Sequence, residues 1–286
     1  MARIIAGIGS SHVPSIGGAH DRHKHDVPAW KPLFDAYVPV REWLTRLKPD
    51  IAIVVYNDHA AEFFFDKYPT FAVGAAEHYA IADEGFGVRP LPAVPGHLAF
   101  SQHLCESLVY DEFDLTVCQE LKVEHGFLVP MHLCFDYQNG GQNGDKHGWP
   151  VASVPIQVNV LQHPLPTARR CYKLGQAIRR AVESFADHLR VVVIGTGGMS
   201  HQLTGSAFGE MQLDNDLDFL ARLESHPESL TGWSHQQLME KFGVEGIELI
   251  MWLVMRGALP ESVRRVHSHY YAPMTTGMGL IALEPA

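Results

Sequence analysis

The chain has 286 residues, 46 % of them hydrophobic, enough for one large domain or two small ones with a sizeable core. Its formal net charge is −10, with no long run of one sign and no basic patch, which argues against nucleic-acid binding. The four cysteines form no CxxC pair, the longest apolar run (LIMWLVM) is far below a membrane span, and MARIIAGIG reads as a first strand rather than a secretion signal. These features indicate a soluble cytoplasmic protein with reduced thiols.

In chain order, the first strand is expected over 3–8, RIIAGI, leading to His12. HDRHKHD, with His20, His23 and His25, lies among charges and reads as a solvated loop, with a surface metal site as the sharper alternative. A helix follows over 33–47. The strand 51–56, IAIVVY, then runs directly into Asn57, Asp58 and His59. A strand at 70–73 precedes a Gly- and Pro-rich loop around 83–96, a helix at 97–109 and a strand at 115–118. DYQNGGQNGDKHGWP, 136–150, is turn-rich and expected as an exposed loop. Beyond it come a strand at 151–161, a helix at 167–186 and a strand at 190–195 that leads through GTGG to His201. Helices at 213–223 and 245–257 and a last strand near 278–283 complete the series. Unbroken Val/Ile runs, rather than alternating ones, belong to strands buried on both faces. Strands alternating with helices predict an α/β fold: a single domain over 1–286, with a central, mostly buried mixed sheet and helices on both faces.

Histidine is abundant, at 18 residues, and three strands end on one: His12, His59 and His201. Open α/β sheets bind ligands beyond the carboxyl ends of their strands, so roughly parallel strands would gather three imidazoles around one crevice. Imidazole is the commonest ligand of catalytic metals, with zinc or iron the natural readings. Two histidines need a carboxylate to complete the facial triad of a non-heme Fe(II) oxygenase. Glu248 fits, because it lies in a helix that is apolar on every side, where a carboxylate is costly unless paired or bound to metal. The plain alternative is a salt bridge to an arginine. Glu245, near the start of that helix, is explained as a capping residue. GTGG, 195–198, lacks GxGxxG spacing and reads as a tight turn carrying His201 close to a ligand. Asp58 is either a hydrogen-bond partner for an imidazole or a loop acid.

SSHVP (10–14), YNDHA (56–60), PTFA (69–72), ADEG (82–85), EHGFLVP (124–130), GTGGMSHQL (195–203) and EGIELIMWLVMRGAL (245–259) together resemble the class III extradiol dioxygenases. The likeness covers nearly the whole chain and points to the group of protocatechuate 4,5-dioxygenase β subunits and gallate dioxygenases. It implies Fe(2+) held by His12, His59 and Glu248, with His201 as acid/base rather than ligand. His125 is implied as a second active-site histidine that touches the substrate. The implied reaction opens the ring of a small catecholic acid with O2, beside the vicinal diol. Residues 63–72 and 159–175 lean toward the gallate branch. Where protocatechuate enzymes carry a Ser-Asn pair, Thr275 and Thr276 stand here as substrate-binding hydroxyls. Gallate enzymes have an additional C-terminal domain and protocatechuate enzymes a separate small α subunit. A chain of this length is therefore expected to form a homodimer or a complex with such a subunit. A zinc hydrolase or amidase using the same histidines, and a non-catalytic subunit, are the alternatives.

Overall fold

The computed structural model describes residues 1–135 and 148–286, so the loop expected at 136–150 lies, but for its last three residues, outside the described residues. The first half contains β1 (Arg3–Ser10), α1 (Pro14–Asp21), α2 (Lys31–Leu47), β2 (Ile51–Tyr56), β3 (Phe71–Gly74), β4 (His78–Ile81) and β5 (Val94–Pro95). It continues with α3 (Leu98–Tyr110), β6 (Thr116–Cys118), β7 (Lys122–Val123) and α4 (His125–Cys134). The second half contains β8 (Ala152–Val158), α5 (Ala168–Ser184), β9 (Arg190–Thr196), α6 (Leu213–Ser225) and α7 (His235–Phe242). It ends with α8 (Leu249–Ala258), β10 (Val263–Tyr271) and β11 (Met278–Pro285).

Eight strands form one mixed sheet in the order β10-β11-β1-β9-β2-β8-β3-β6. Its centre, β1, β9, β2 and β8, is parallel, while β11 and β3 flank it antiparallel. The residues of β2 show why its sequence does not alternate. Ile51, Ile53 and Val55 pack with Phe100 of α3, Ile178 of α5 and Ile250 of α8. Ala52, Val54 and Tyr56 pack with Ile16 of α1, Phe34 of α2 and Phe127 of α4. Both faces are core, as expected for a strand without a solvent side. At roughly 1.5–3 kcal/mol per fully buried Val or Ile side chain, such a strand holds its own C-terminal end firmly. Helices α5 and α8 cross closely because each offers a glycine. A Cβ on Gly175 would stand 2.0 Å from the Val254 carbonyl, and one on Gly257 would stand 2.1 Å from the Tyr172 carbonyl.

The structure corrects several expectations. The helix expected over 245–257 is a 3-10 turn, Glu245–Glu248, followed by α8, so Glu248 stands at a joint rather than within a helix. The strand expected over 151–161 stops at Val158, where Asn159 Oδ1 accepts the Leu161 and Gln162 amides and turns the chain. Helix α4 was not anticipated: it is buried on every side and carries Gly126 and Pro130, so it shows no amphipathic period. Strand β10, an edge strand of mostly polar residues, was missed because it is only half-buried.

Arg256 is 1 % exposed, yet among the described residues it pairs with no carboxylate. Its guanidinium donates to the carbonyls of Leu223 (2.8 Å), Pro260 (2.9 Å) and Glu261 (2.8 Å), tying the ends of α6 and α8 together. Arg256→Met would strand those carbonyls, and a loss on the order of 2–4 kcal/mol in urea unfolding is expected. Arg256→Lys, with one donor group, should fall between. A midpoint unchanged in Arg256→Met would show that the carbonyls need no protein donor.

Candidate metal centre

Because β1, β9 and β2 are parallel neighbours, their carboxyl ends lie along one edge of the sheet. His12, His59 and His201 follow these ends, and all three line one cleft of about 330 Å3. Glu248 and His125 line the same cleft, brought there by the joint before α8 and by the first turn of α4.

His12, His59 and Glu248 converge further. One potential ligand atom from each lies within 4.8 Å of the others. His12 Nε2 is 3.2 Å from Glu248 Oε2, and His59 Nε2 is 3.5 Å from Glu248 Oε1. Ligands about 2.1 Å from a common ion and at right angles stand roughly 3 Å apart, so this spacing suits one face of an octahedron. The second ring nitrogens are occupied elsewhere. His12 Nδ1 meets Thr196 Oγ1 at 2.9 Å, and His59 Nδ1 donates to Glu124 Oε2 at 3.1 Å. His12 Nε2 is left buried with no hydrogen-bond partner, facing the carboxylate. Two imidazoles with their Nδ1 sides tied back and their Nε2 sides turned to one carboxylate fit a metal ion.

The electrostatics agree. Burial alone would raise the Glu248 carboxyl, but the His12 and His59 imidazoles beside it outweigh burial and hold it well below the ordinary range. Burial pushes His12 down. Burial acts the same way on His59, but Glu124 and Glu248 overcome it and push that imidazole up to about 10. Without a cation, therefore, this pocket of negative charge is met by a proton. Backbone makes room for the carboxylate as well. Gly197 adopts φ +132°, where a Cβ would lie 2.8 Å from that of Glu248, and Gly198 N–H donates to Glu248 Oε2 at 2.7 Å. The GTGG turn thus serves Glu248 as much as His201.

His201 Nδ1 donates to the Met199 carbonyl at 2.8 Å, leaving Nε2 as the ring nitrogen available to the cleft. Its segment is pinned by buried Asp216, which accepts Ser200 N–H (2.9 Å), Ser200 Oγ–H (2.6 Å) and Tyr270 O–H (2.8 Å). His125 stacks obliquely on His59, with ring centroids 4.1 Å apart. Thr276 is buried, lines the cleft and bridges to His201, whereas Thr275 is not among the lining residues and its methyl faces Gly209.

Asp58 proves to be the loop acid: its carboxylate accepts the amides of Ala61, Glu62 and Phe63 and, among the described residues, touches no imidazole. Glu245 does not cap its helix but accepts Leu203 N–H at 3.0 Å, clamping a loop at the cleft. No arginine pairs with Glu248 among the described residues. HDRHKHD is less solvated than expected. His20 belongs to α1 and lies 4.6 Å, ring to ring, from His132, while His25 packs on Phe34. His20, Asp21 and His132 are spaced for a metal, but the Arg89 guanidinium takes both Asp21 oxygens and sits where a cation would.

Sequence reasoning missed Thr196, Glu124 and Asp216. Thr196 ends a strand. Glu124 also reads as a helix cap, and its Oε1 does accept Gly126 N–H at 2.8 Å. Asp216 lies in the acidic first turn of α6, where a carboxylate needs no explanation.

Residues 6–281 match the family described as the catalytic LigB subunit of aromatic ring-opening dioxygenase. A gallate dioxygenase of Pseudomonas putida is 44 % identical over 204 residues, covering 71 % of this chain and 58 % of that protein. A 2,3-dihydroxyphenylpropionate/2,3-dihydroxicinnamic acid 1,2-dioxygenase of Cupriavidus necator is 33 % identical over 162 residues, 57 % of this chain and 47 % of its own length. The aligned region thus spans about half the length of these relatives. The crystal structure of an uncharacterized Escherichia coli K12 protein superposes with a TM-score of 0.53 at 12 % identity, over 99 % of this chain and 100 % of that one, which shows a shared fold.

Thr196→Val removes the oxygen that engages His12 Nδ1 at almost constant shape. Divalent-metal affinity is expected to fall about 10–100-fold, with little change in the unfolding midpoint. Calorimetric titration of the metal-free variant checks this, and unaltered affinity would deny Thr196 that role.

Proposed function

The chain belongs to the LigB family of aromatic ring-opening dioxygenases, and from that premise we propose that it opens the ring of a small catecholic acid with O2, beside the vicinal diol, using Fe(2+) held by His12, His59 and Glu248. The observation that carries this reading is the convergence of two Nε2 atoms and one carboxylate within 4.8 Å in a cleft that also holds two imidazoles not needed as ligands. Ferrous iron bound there supplies Lewis acidity toward the diol oxygens and the redox chemistry that O2 requires.

The remaining work falls to the protein. Val13, Pro14, Val160, Leu161, Leu203 and Ile247 give the cleft an apolar wall suited to a planar ring and poor for water. His201, its Nδ1–H fixed by the Met199 carbonyl, accepts a proton from a substrate hydroxyl at Nε2 and returns it later. His125 offers its unpartnered Nε2 as a hydrogen-bonding group to substrate oxygens. Thr276, rather than Thr275, is the hydroxyl within reach of a ring substituent.

The described lining residues include no lysine or arginine. A ring carboxylate, as in gallate, protocatechuate or 3-O-methylgallate, therefore turns toward Thr276 and the mouth. Leu161, Leu203 and Val244, exposed apolar residues beside that mouth, support closure by a second copy or a small α subunit. Four free cysteines suit a cytoplasmic location.

The donor set of two histidines and a glutamate also serves zinc hydrolases, which is the second reading. Oxygen uptake by anaerobically iron-loaded protein separates the two, using a panel of catecholic acids with plain catechol as the control without a carboxylate. Uptake abolished by chelation is expected; bound zinc without uptake would favour the hydrolase. His201→Ala should keep its iron and lose about 10²–10⁴-fold in kcat. Full iron occupancy in His12→Ala or Glu248→Ala would overturn the ligand assignment.

A further inference from the structure

The reaction as proposed leaves the ADEG segment, 82–85, without a role, together with the small sheet β5-β4-β7 beneath it. Strand β4 pairs parallel with β7, Ile81 opposite Val123, and Ala82 N–H continues the ladder to the Val123 carbonyl at 2.9 Å. That register runs the chain leaving β4 beside the chain leaving β7, so residues 83–84 arrive alongside Glu124 and His125. Asp83 then turns the segment. Its Oδ1 accepts Gly85 N–H and Gly87 N–H, each at 2.9 Å, and both glycines have the positive φ the turn requires.

The outcome is a second carboxylate on His125. Nδ1–H of that imidazole donates to Glu84 Oε1 and also lies 2.6 Å from Glu124 Oε2. Glu124 is fully buried, and the same Oε2 serves His59 Nδ1 at 3.1 Å. One oxygen shared by two imidazoles cannot fix both independently, and a shift of His59 would pull on His125 through it. Glu84 gives His125 an acceptor of its own, on a loop that supplies no ligand to the metal group.

We propose that Glu84 is the positioning residue of His125: its carboxylate holds Nδ1–H on the side away from the cleft, so that Nε2 meets the substrate whatever His59 does. His125 Nε2 is buried and unpartnered, as this requires. The Glu84 side chain is itself 24 % exposed, so it also stands between Nδ1–H and solvent. The inference rests on the ring-cleavage reading only in naming what Nε2 meets.

Two variants test it. Glu84→Gln keeps an oxygen acceptor and Glu84→Ala removes it. In proton spectra of the metal-free protein, a downfield, slowly exchanging imidazole proton that disappears in His125→Asn is expected for the native chain. It should persist in Glu84→Gln and broaden away in Glu84→Ala. In the iron-loaded protein both variants should bind iron at the native stoichiometry. Glu84→Ala should then lose about tenfold or more in kcat with a smaller change in KM, and Glu84→Gln should stay within about threefold. Glu84→Ala that keeps the imidazole proton overturns the proposal, as does Glu84→Gln falling as far as Glu84→Ala. Should no catecholic acid be turned over, the ring-cleavage reading fails while the spectra still decide the role of Glu84.

Discussion

A carboxylate placed inside a protein must be answered by positive charge or by donors, and Glu248 is where this fold meets that demand. Taking a charge out of water costs several kcal/mol even after relaxation, more than any one neighbouring contact returns. Gly198 N–H supplies one donor, and the Nε2 atoms of His12 and His59 stand 3.2 and 3.5 Å from the two Glu248 oxygens. Much of the surrounding structure follows. Gly197 takes a conformation open to glycine because a Cβ there would collide with Glu248. The helix after Glu248 begins only at Leu249, because Glu248 must sit at a joint to reach the sheet edge. Three adjacent parallel strands end where they do because each end delivers a group to the same place.

A layer of hydrogen bonds decides which ring nitrogen each histidine presents. Thr196, Glu124 and the Met199 carbonyl each take the Nδ1 side of a different imidazole, leaving Nε2 toward the cleft. The acceptors differ in kind. Thr196 and the Met199 carbonyl are neutral partners, whereas Glu124 carries a full charge and pushes the His59 imidazole up. The two histidines beside Glu248 are thus unequal: burial pushes His12 down, whereas Glu124 and Glu248 push His59 up.

The parts of this arrangement legible in sequence were those that break a local pattern. Glu248 stood out because nothing apolar around it explained a carboxylate, and His59 because a β-branched run ended on it. Continuous Val/Ile runs marked β1, β9 and β2 as strands buried on both faces, but their parallel adjacency, which turns three strand ends into one site, came from the structure. What stayed hidden had an ordinary local explanation. Glu124 caps a helix that the sequence did not reveal, and its second oxygen does more. Helix α4 carried no periodicity because it has no exposed face, and Asp58 attracted notice by standing beside a ligand when its carboxylate serves only the turn. Pairings between segments distant in sequence, such as Thr196 with His12, leave no mark on either segment alone.

These contacts divide the site into two mechanical parts. The metal group hangs on the central sheet and the start of α8, elements buried on both sides and resistant to displacement. The two other imidazoles hang on other supports, His201 on a turn pinned by Asp216 and His125 on the first turn of α4 with a loop carboxylate against it. Within that division Glu124 is the exception, since its Oε2 touches both His59, which follows β2, and His125, which opens α4. Through that oxygen, and through the stacking of the two rings 4.1 Å apart, His59 and His125 are coupled, which gives a second carboxylate beside His125 something to do.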